Sequence, residues 1–155
     1  VGKEELNCVY ISMGSNLGDK KDNLDKAINL LNSKVGKVAK QSTYIVTKAV
    51  GMQNADDFLN ACIELHTSLK PLELLSQLKE IEIELGRQSN SKGKYESRTI
   101  DLDIIFFNQL IFSSKELTIP HPKYHLRDFV LIPLLEINSN IIDPLIHLKL
   151  KQLIN

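Results

Sequence analysis

The stretch Phe58-Leu59-Asn60-Ala61-Cys62-Ile63-Glu64-Leu65-His66-Thr67 decides the fold, because its side chains alternate in character along its length. Successive side chains of an extended chain point to opposite faces. Leu59, Ala61, Ile63 and Leu65 therefore share one face, and Phe58, Asn60, Cys62, Glu64 and His66 share the other. The apolar set is expected to face the core.

Upstream, residues 6–13 read as a strand, followed by the connection Gly14-Ser15-Asn16-Leu17-Gly18 and a helix opening near Asp19. Leu24, Ala27, Ile28 and Leu31 recur at helical spacing, with Lys20, Lys21, Asp25 and Lys26 on the outer face. Residues 37–47, rich in β-branched side chains, read as one further strand that ends in a loop over 48–57. Downstream, Pro71 suits a first helical turn, Leu72, Leu75, Leu78 and Leu85 supply a buried stripe, and Gly86 suits the position after the helix. Residues 87–98 are almost devoid of apolar side chains and read as a long mobile loop. A strong strand over 99–107 follows, with a hairpin-like turn at Asn108-Gln109 returning into 110–112. An extended piece ending at Pro120, a helix near 126–137 and an apolar tail complete the chain. The order βαββαβ with added C-terminal elements predicts an α+β, ferredoxin-like sandwich. A chain of 155 residues is expected to form a single domain over 1–155.

Nineteen basic and nineteen acidic residues cancel, which removes the electrostatic argument for a nucleic-acid or anionic-membrane surface. No run is long and apolar enough to span a bilayer, and no secretory signal is visible at the start. Cys8 and Cys62 sit in apolar, strand-like stretches without metal-ligand spacing, and read as small core residues in a reducing, cytoplasmic setting. The four histidines show no zinc pattern.

The chemistry concentrates in Arg98-Thr99-Ile100-Asp101-Leu102-Asp103-Ile104-Ile105-Phe106-Phe107. On a strand, Asp101 and Asp103 share a face about 6.5–7 Å apart along the chain. Adjacent carboxylates on an apolar strand resist joint ionisation unless a positive charge compensates. Magnesium supplies it, with one or two carboxylates as protein ligands and phosphates or water as the rest. The competing reading is a solvated strand end whose acids pair with lysines. Arg87 and Arg98 bracket the polar loop that holds Lys92 and Lys94, a set suited to closing over a triphosphate or simply to solvation. Pro120-His121-Pro122 would hold an imidazole rigidly, for structure or for a phosphate. Phe58 and Asn60 share a face, as stacking on a flat heterocycle while an amide reads its edge requires. An aromatic at a sheet end equally needs no ligand. The glycine-bounded loop Gly14 to Gly18 lacks the Lys-Ser/Thr ending of a P-loop and the third glycine of a dinucleotide fingerprint. It reads as a strand-to-helix connection beside the pocket.

Taken together, Gly14-Ser15-Asn16-Leu17-Gly18, Val50-Gly51 followed by Phe58-Leu59-Asn60, the helix end from Glu82 to Arg87, Arg98 to Ile105, and Ile119-Pro120-His121-Pro122 with Arg127 and Phe129 resemble the hydroxymethyldihydropterin pyrophosphokinase family. The likeness runs from near Val9 to about Asp143. It implies diphosphate transfer from ATP to 6-hydroxymethyl-7,8-dihydropterin with release of AMP, in folate biosynthesis. It further implies two magnesium ions on Asp101 and Asp103, and catalytic roles for Arg87 and Arg98. Glu82, Arg87, Lys92, Arg98, Thr118 and His121 would bind ATP. Thr47, Lys48, Val50, Phe58, Asn60 and Phe129 would bind the pterin, with Phe58 and Phe129 sandwiching its ring. An isolated domain of this kind is expected to be monomeric, with neither nucleic acid nor membrane as partner. Three segments depart from the family pattern: Tyr95 stands where some members carry tryptophan, Glu116 where some carry arginine, and Lys48-Ala49 where a proline is common. A regulatory ferredoxin-like module would not need Asp101, Asp103, Arg87 and Arg98 together. A nucleotidyltransferase or nuclease acting on a polynucleotide would need a basic stripe that is absent from the sequence.

Overall fold

The computed structural model describes residues 5–48, 57–86 and 99–154. Along them run β1 (Asn7–Ser15), α1 (Lys20–Lys34), β2 (Lys37–Gln41), β3 (Ile45–Thr47), β4 (Phe58–Thr67), α2 (Pro71–Glu84), β5 (Asp101–Phe107), β6 (Phe112–Ser113), β7 (Thr118–Ile119) and α3 (Asp128–Ile137). The main sheet has the order β2-β4-β1-β5, with β3 also paired to β4, and every pairing is antiparallel. This is the ferredoxin-like arrangement expected from the order of elements. The alternating stretch forms β4 over its full length, paired on one side with β1 and on the other with β2 and β3.

One face of the sheet carries Val9, Ile11, Met13, Ile63, Leu65, Leu102 and Ile104, and packs on α1 and α2 in a single buried cluster. In α1 the buried residues are the expected Leu24, Ala27, Ile28 and Leu31, and the Asp19 carboxylate caps the helix by accepting from the Asp22 N–H at 3.1 Å. In α2 the fully buried residues are Leu74, Leu78, Ile81 and Glu82; of the expected stripe Leu78 is among them, Leu75 and Leu85 pack partly buried against the core, and Leu72 does not. Leu72 is 45% exposed, because it sits in the first turn beside Pro71 and its direction carries it off the sheet. Gly86, at φ +111°, takes the left-handed conformation that ends the helix.

The opposite face is not left to solvent. Tyr10, Cys62, Ile105 and Phe106 pack there against Val130, Leu131, Leu134 and Ile137 of α3, forming a second core. A β-bulge makes this possible: Tyr10 pairs with Phe106 but Ile11 pairs with Ile104, so Ile105 is the extra residue of β5. Ile105 and Phe106 then both join the second core, while Ile104 and Phe107 stay in the first.

Two expected elements divide differently. The single strand over 37–47 breaks at residues 42–44, where Thr43 gives its backbone N–H and its hydroxyl to the Glu136 carboxylate of α3, each at 3.0 Å. The turn at Asn108, at φ +50°, does not return along β5, since β6 pairs with β7 instead. The last helix begins at Asp128, after a 3-10 turn at Tyr124–Leu126.

Candidate active site

The cleft lies where β1 ends and β4 and β5 begin. Gly14 is paired with Asn60 on one side and Asp101 on the other, and Ser12 with Cys62 and Asp103. These two rungs belong to the face that α3 covers further along. At the first turn of α3 the face opens into a cleft of about 780 Å³, within the range of small-molecule sites. Asp101 and Asp103, opposite Gly14 and Ser12 on alternate rungs of one face, both line it, and Leu102 and Ile104, which join the first core, border it as well. The period-two expectation for this pair therefore holds.

The entry to β5 is held from α2. Glu82 is 4% exposed, and its carboxylate accepts the Leu102 backbone N–H at 2.8 Å, between the two aspartates. On the opposite rim Asn60 is 3% exposed and donates its amide N–H to the Thr47 hydroxyl at 2.6 Å. Gly14 leaves room between these walls: a Cβ there would stand 2.9 Å from Asn60 Oδ1 and 3.5 Å from Phe58 Cδ1. Phe58 and Phe129 line the cleft from the start of β4 and the start of α3. Arg127 lies 5.9 Å from the Phe129 ring centroid, a cation–π distance.

His121 is fixed by its backbone N–H, which donates to Ile105 O at 3.0 Å, and by its ring Nδ1, which accepts the Lys123 N–H at 3.0 Å. With Nδ1 accepting, the neutral ring carries its hydrogen on Nε2. Burial, with the nearby Arg127 charge second, lowers its pKa to about 4, against an opposing pull from Asp101. At neutral pH His121 is thus an uncharged donor.

Every expected site residue among the described residues lines this cleft: Thr47, Lys48, Phe58, Asn60, Glu82, Asp101, Asp103, Thr118, His121 and Phe129. Glu116 lines it as well and accepts from the Ser114 hydroxyl at 3.2 Å. Arg87, Lys92, Arg98 and Val50, with Ala49, Tyr95 and the loop over 87–98, lie outside the described residues. Sequence reasoning missed Ser12, Leu75, Lys79, Lys115 and Leu117, which also line the cleft. For two of them a signal existed, since Leu75, Lys79 and Glu82 recur at i, i+4 and i+7 along α2 and so share a helix face. Of the stretch Gly14 to Gly18 only Gly14, still within β1, reaches the cleft. Asn23 closes the rest by donating to Leu17 O at 2.8 Å.

An antiparallel α+β sandwich that sets two carboxylates, an amide, two aromatic rings and a neutral imidazole around one cleft defines a small-molecule enzyme rather than a bare ligand-binding module. A family model described as 7,8-dihydro-6-hydroxymethylpterin-pyrophosphokinase matches residues 10–139. The 2-amino-4-hydroxy-6-hydroxymethyldihydropteridine pyrophosphokinase of Aquifex aeolicus is 40% identical over 144 residues, covering 93% of this chain and 88% of its own length. The Bacillus subtilis protein of the same name is 42% identical over 132 residues, covering 84% and 78%. Among solved structures, wild-type Plasmodium falciparum HPPK-DHPS with SDX-DHP superposes with a TM-score of 0.77 at 15% identity, over 99% of this chain and 44% of that one. The chain thus spans less than half of that solved protein, and the likeness establishes the fold.

The chain belongs to the 7,8-dihydro-6-hydroxymethylpterin-pyrophosphokinase family. Its activity is the transfer of diphosphate from ATP to 6-hydroxymethyl-7,8-dihydropterin, giving the pterin diphosphate and AMP, a step of folate biosynthesis.

Proposed function

We propose that this transfer takes place in the cleft over Gly14, with Asp101 and Asp103 as the ligands of two magnesium ions. The observation that carries the reading is the shared face of the two aspartates, opposite Asn60 across the glycine. Carboxylate oxygens are hard donors of the kind magnesium takes, and the space beside them accommodates phosphates as the remaining ligands. When bound, the ions would supply positive charge to phosphate oxygens as the diphosphate moves.

The chain's own residues would do the positioning. Asn60, held by Thr47, would hydrogen-bond the edge of the pterin, and Phe58 and Phe129 would flank its ring. Backbone groups of Thr47, Lys48 and Val50 would complete that pocket. Such placement brings the hydroxymethyl oxygen toward the β-phosphorus and removes most of the entropic cost of their meeting. On the nucleotide side His121, uncharged, would donate from Nε2 to a phosphate oxygen, with Glu82 and Thr118 near the nucleotide. Arg87, Lys92 and Arg98 are assigned to the phosphates on the sequence resemblance alone. The whole chain is read as one domain, active as a monomer in the cytoplasm, with no nucleic acid or membrane involved.

The test is turnover measured as AMP release with ATP, the hydroxymethyl-dihydropterin and magnesium. Chelation of magnesium should abolish it. Asp101→Asn and Asp103→Asn should each lower it by about two to three orders of magnitude, the loss typical of removing a charge-stabilising group, with folding intact. Wild-type turnover in either variant would remove the metal assignment.

A further inference from the structure

At the other end of the sheet β1 and β4 assemble a second cluster of ligand-bearing side chains. Cys8 is paired across the strands with His66, and Glu64 lies two residues before His66 on the same face. Cys8 Sγ, a Glu64 carboxylate oxygen and a His66 ring nitrogen all lie within 4.8 Å of one another. From Cys8 to Gly14 is six residues along β1, roughly 20 Å at the strand rise, so this cluster is separate from the cleft.

The carboxylate is oriented as a metal ligand's would be. Glu64 Oε1 accepts the Tyr10 hydroxyl at 2.7 Å, and Tyr10 Oη in turn accepts from Asn138 Nδ2 at 2.9 Å. Such outer partners fix the direction of a ligating oxygen. They leave Oε2 turned to His66 Nε2, at 2.9 Å. Tetrahedral bonds of about 2.0–2.1 Å would place two such ligands about 3.3 Å apart, so an ion could replace the hydrogen between them with a small outward shift. Glu64 is 8% exposed, whereas Cys8 and His66 are half-buried, so solvent reaches the cluster from one side.

We propose that Cys8, Glu64 and His66 form a binding site for a zinc-class divalent ion, with water as the fourth ligand. One thiolate, one imidazole and one carboxylate make a borderline-soft set that selects zinc over magnesium. The two anionic ligands balance the charge of the dication. On binding, the Cys8 thiol gives up its proton to solvent, and the His66 ring hydrogen that faces Glu64 from Nε2 is exchanged through solvent to Nδ1, leaving the Nε2 lone pair to ligate.

Cobalt(II) added to the chelator-stripped protein tests this, because a cobalt–thiolate bond gives a near-ultraviolet charge-transfer band. The band should saturate at one equivalent in the wild type and in an Asp101→Asn, Asp103→Asn double variant, and vanish in Cys8→Ser. In His66→Gln, zinc affinity measured against a chromophoric chelator should fall at least about tenfold, the loss that even outer partners cause. Cys8→Ser and His66→Gln should keep wild-type AMP release with magnesium, which also shows that both variants are folded. No band in the wild type, or an undiminished band in Cys8→Ser, overturns the proposal.

Discussion

The Glu82 carboxylate, from the last turns of α2, accepts the backbone N–H of Leu102 at 2.8 Å, the residue that separates Asp101 from Asp103. One buried side chain thus ties a helix to the strand that presents both acids. Glu82→Ala leaves that buried N–H without its partner, a loss of about 1–3 kcal/mol. The urea midpoint should fall accordingly, and turnover should fall further than stability does, because the strand entry is loosened. Glu82→Gln keeps an acceptor oxygen and should recover most of the stability. Equal midpoints for wild type and Glu82→Ala would show that the bond does not hold β5.

Gly14→Ala places a methyl group 2.9 Å from Asn60 Oδ1. Asn60 cannot swing away without loosening its 2.6 Å bond to Thr47. One displaced hydrogen bond is worth about 1 kcal/mol or somewhat more, so the KM for the pterin should rise on the order of tenfold. The affinity for ATP should stay as it is. A variant that weakens both substrates alike would contradict a glycine acting on the Asn60 side of the cleft.

The second core predicts a stability loss at a residue that does not line the cleft. Leu131 is fully buried between α3 and the sheet. Leu131→Ala should cost about 2–5 kcal/mol, as removal of a buried leucine does. Chemical denaturation measures it, and a loss within the range of surface substitutions would mean that α3 does not seal this face.

His121 predicts a pH dependence of folding. Its pKa falls to about 4 in the folded chain, by burial first and the Arg127 charge second, against about 6.5 when unfolded. Between those values the unfolded chain binds more protons, so this contribution to stability rises with pH. It is full above about pH 6.5 and is lost as the pH falls toward 4. Replacing the ring by an amide that does not titrate, His121→Gln, should flatten that part of the profile. Denaturation of both proteins at pH 5 and pH 7 decides it: an unchanged difference between the two pH values sinks the idea.

Much of this architecture is local enough to be read along the chain. The α1 stripe of Leu24, Ala27, Ile28 and Leu31 follows from the 3.6-residue period, and the common face of Asp101 and Asp103 from the period of two, because each depends on neighbours a few bonds away. In α2 the same reasoning found Leu78 but took Leu72 in place of Leu74. Leucines at 72, 74, 75 and 78 offer two overlapping stripes, and only the direction from which the sheet approaches selects Leu74 and Leu78 over Leu72.

The sequence by itself determined the main strands and helices, the faces of the strands and the common side of Asp101 and Asp103, since alternation and helical spacing are properties of the backbone. Tertiary structure alone decided three things: the covering of the second face by α3, the extra residue Ile105 that turns β5 toward it, and the meeting of Cys8 with Glu64 and His66. Each is a matter of register between segments far apart in the chain. Register is set by the packing of whole surfaces, so no short stretch carries it.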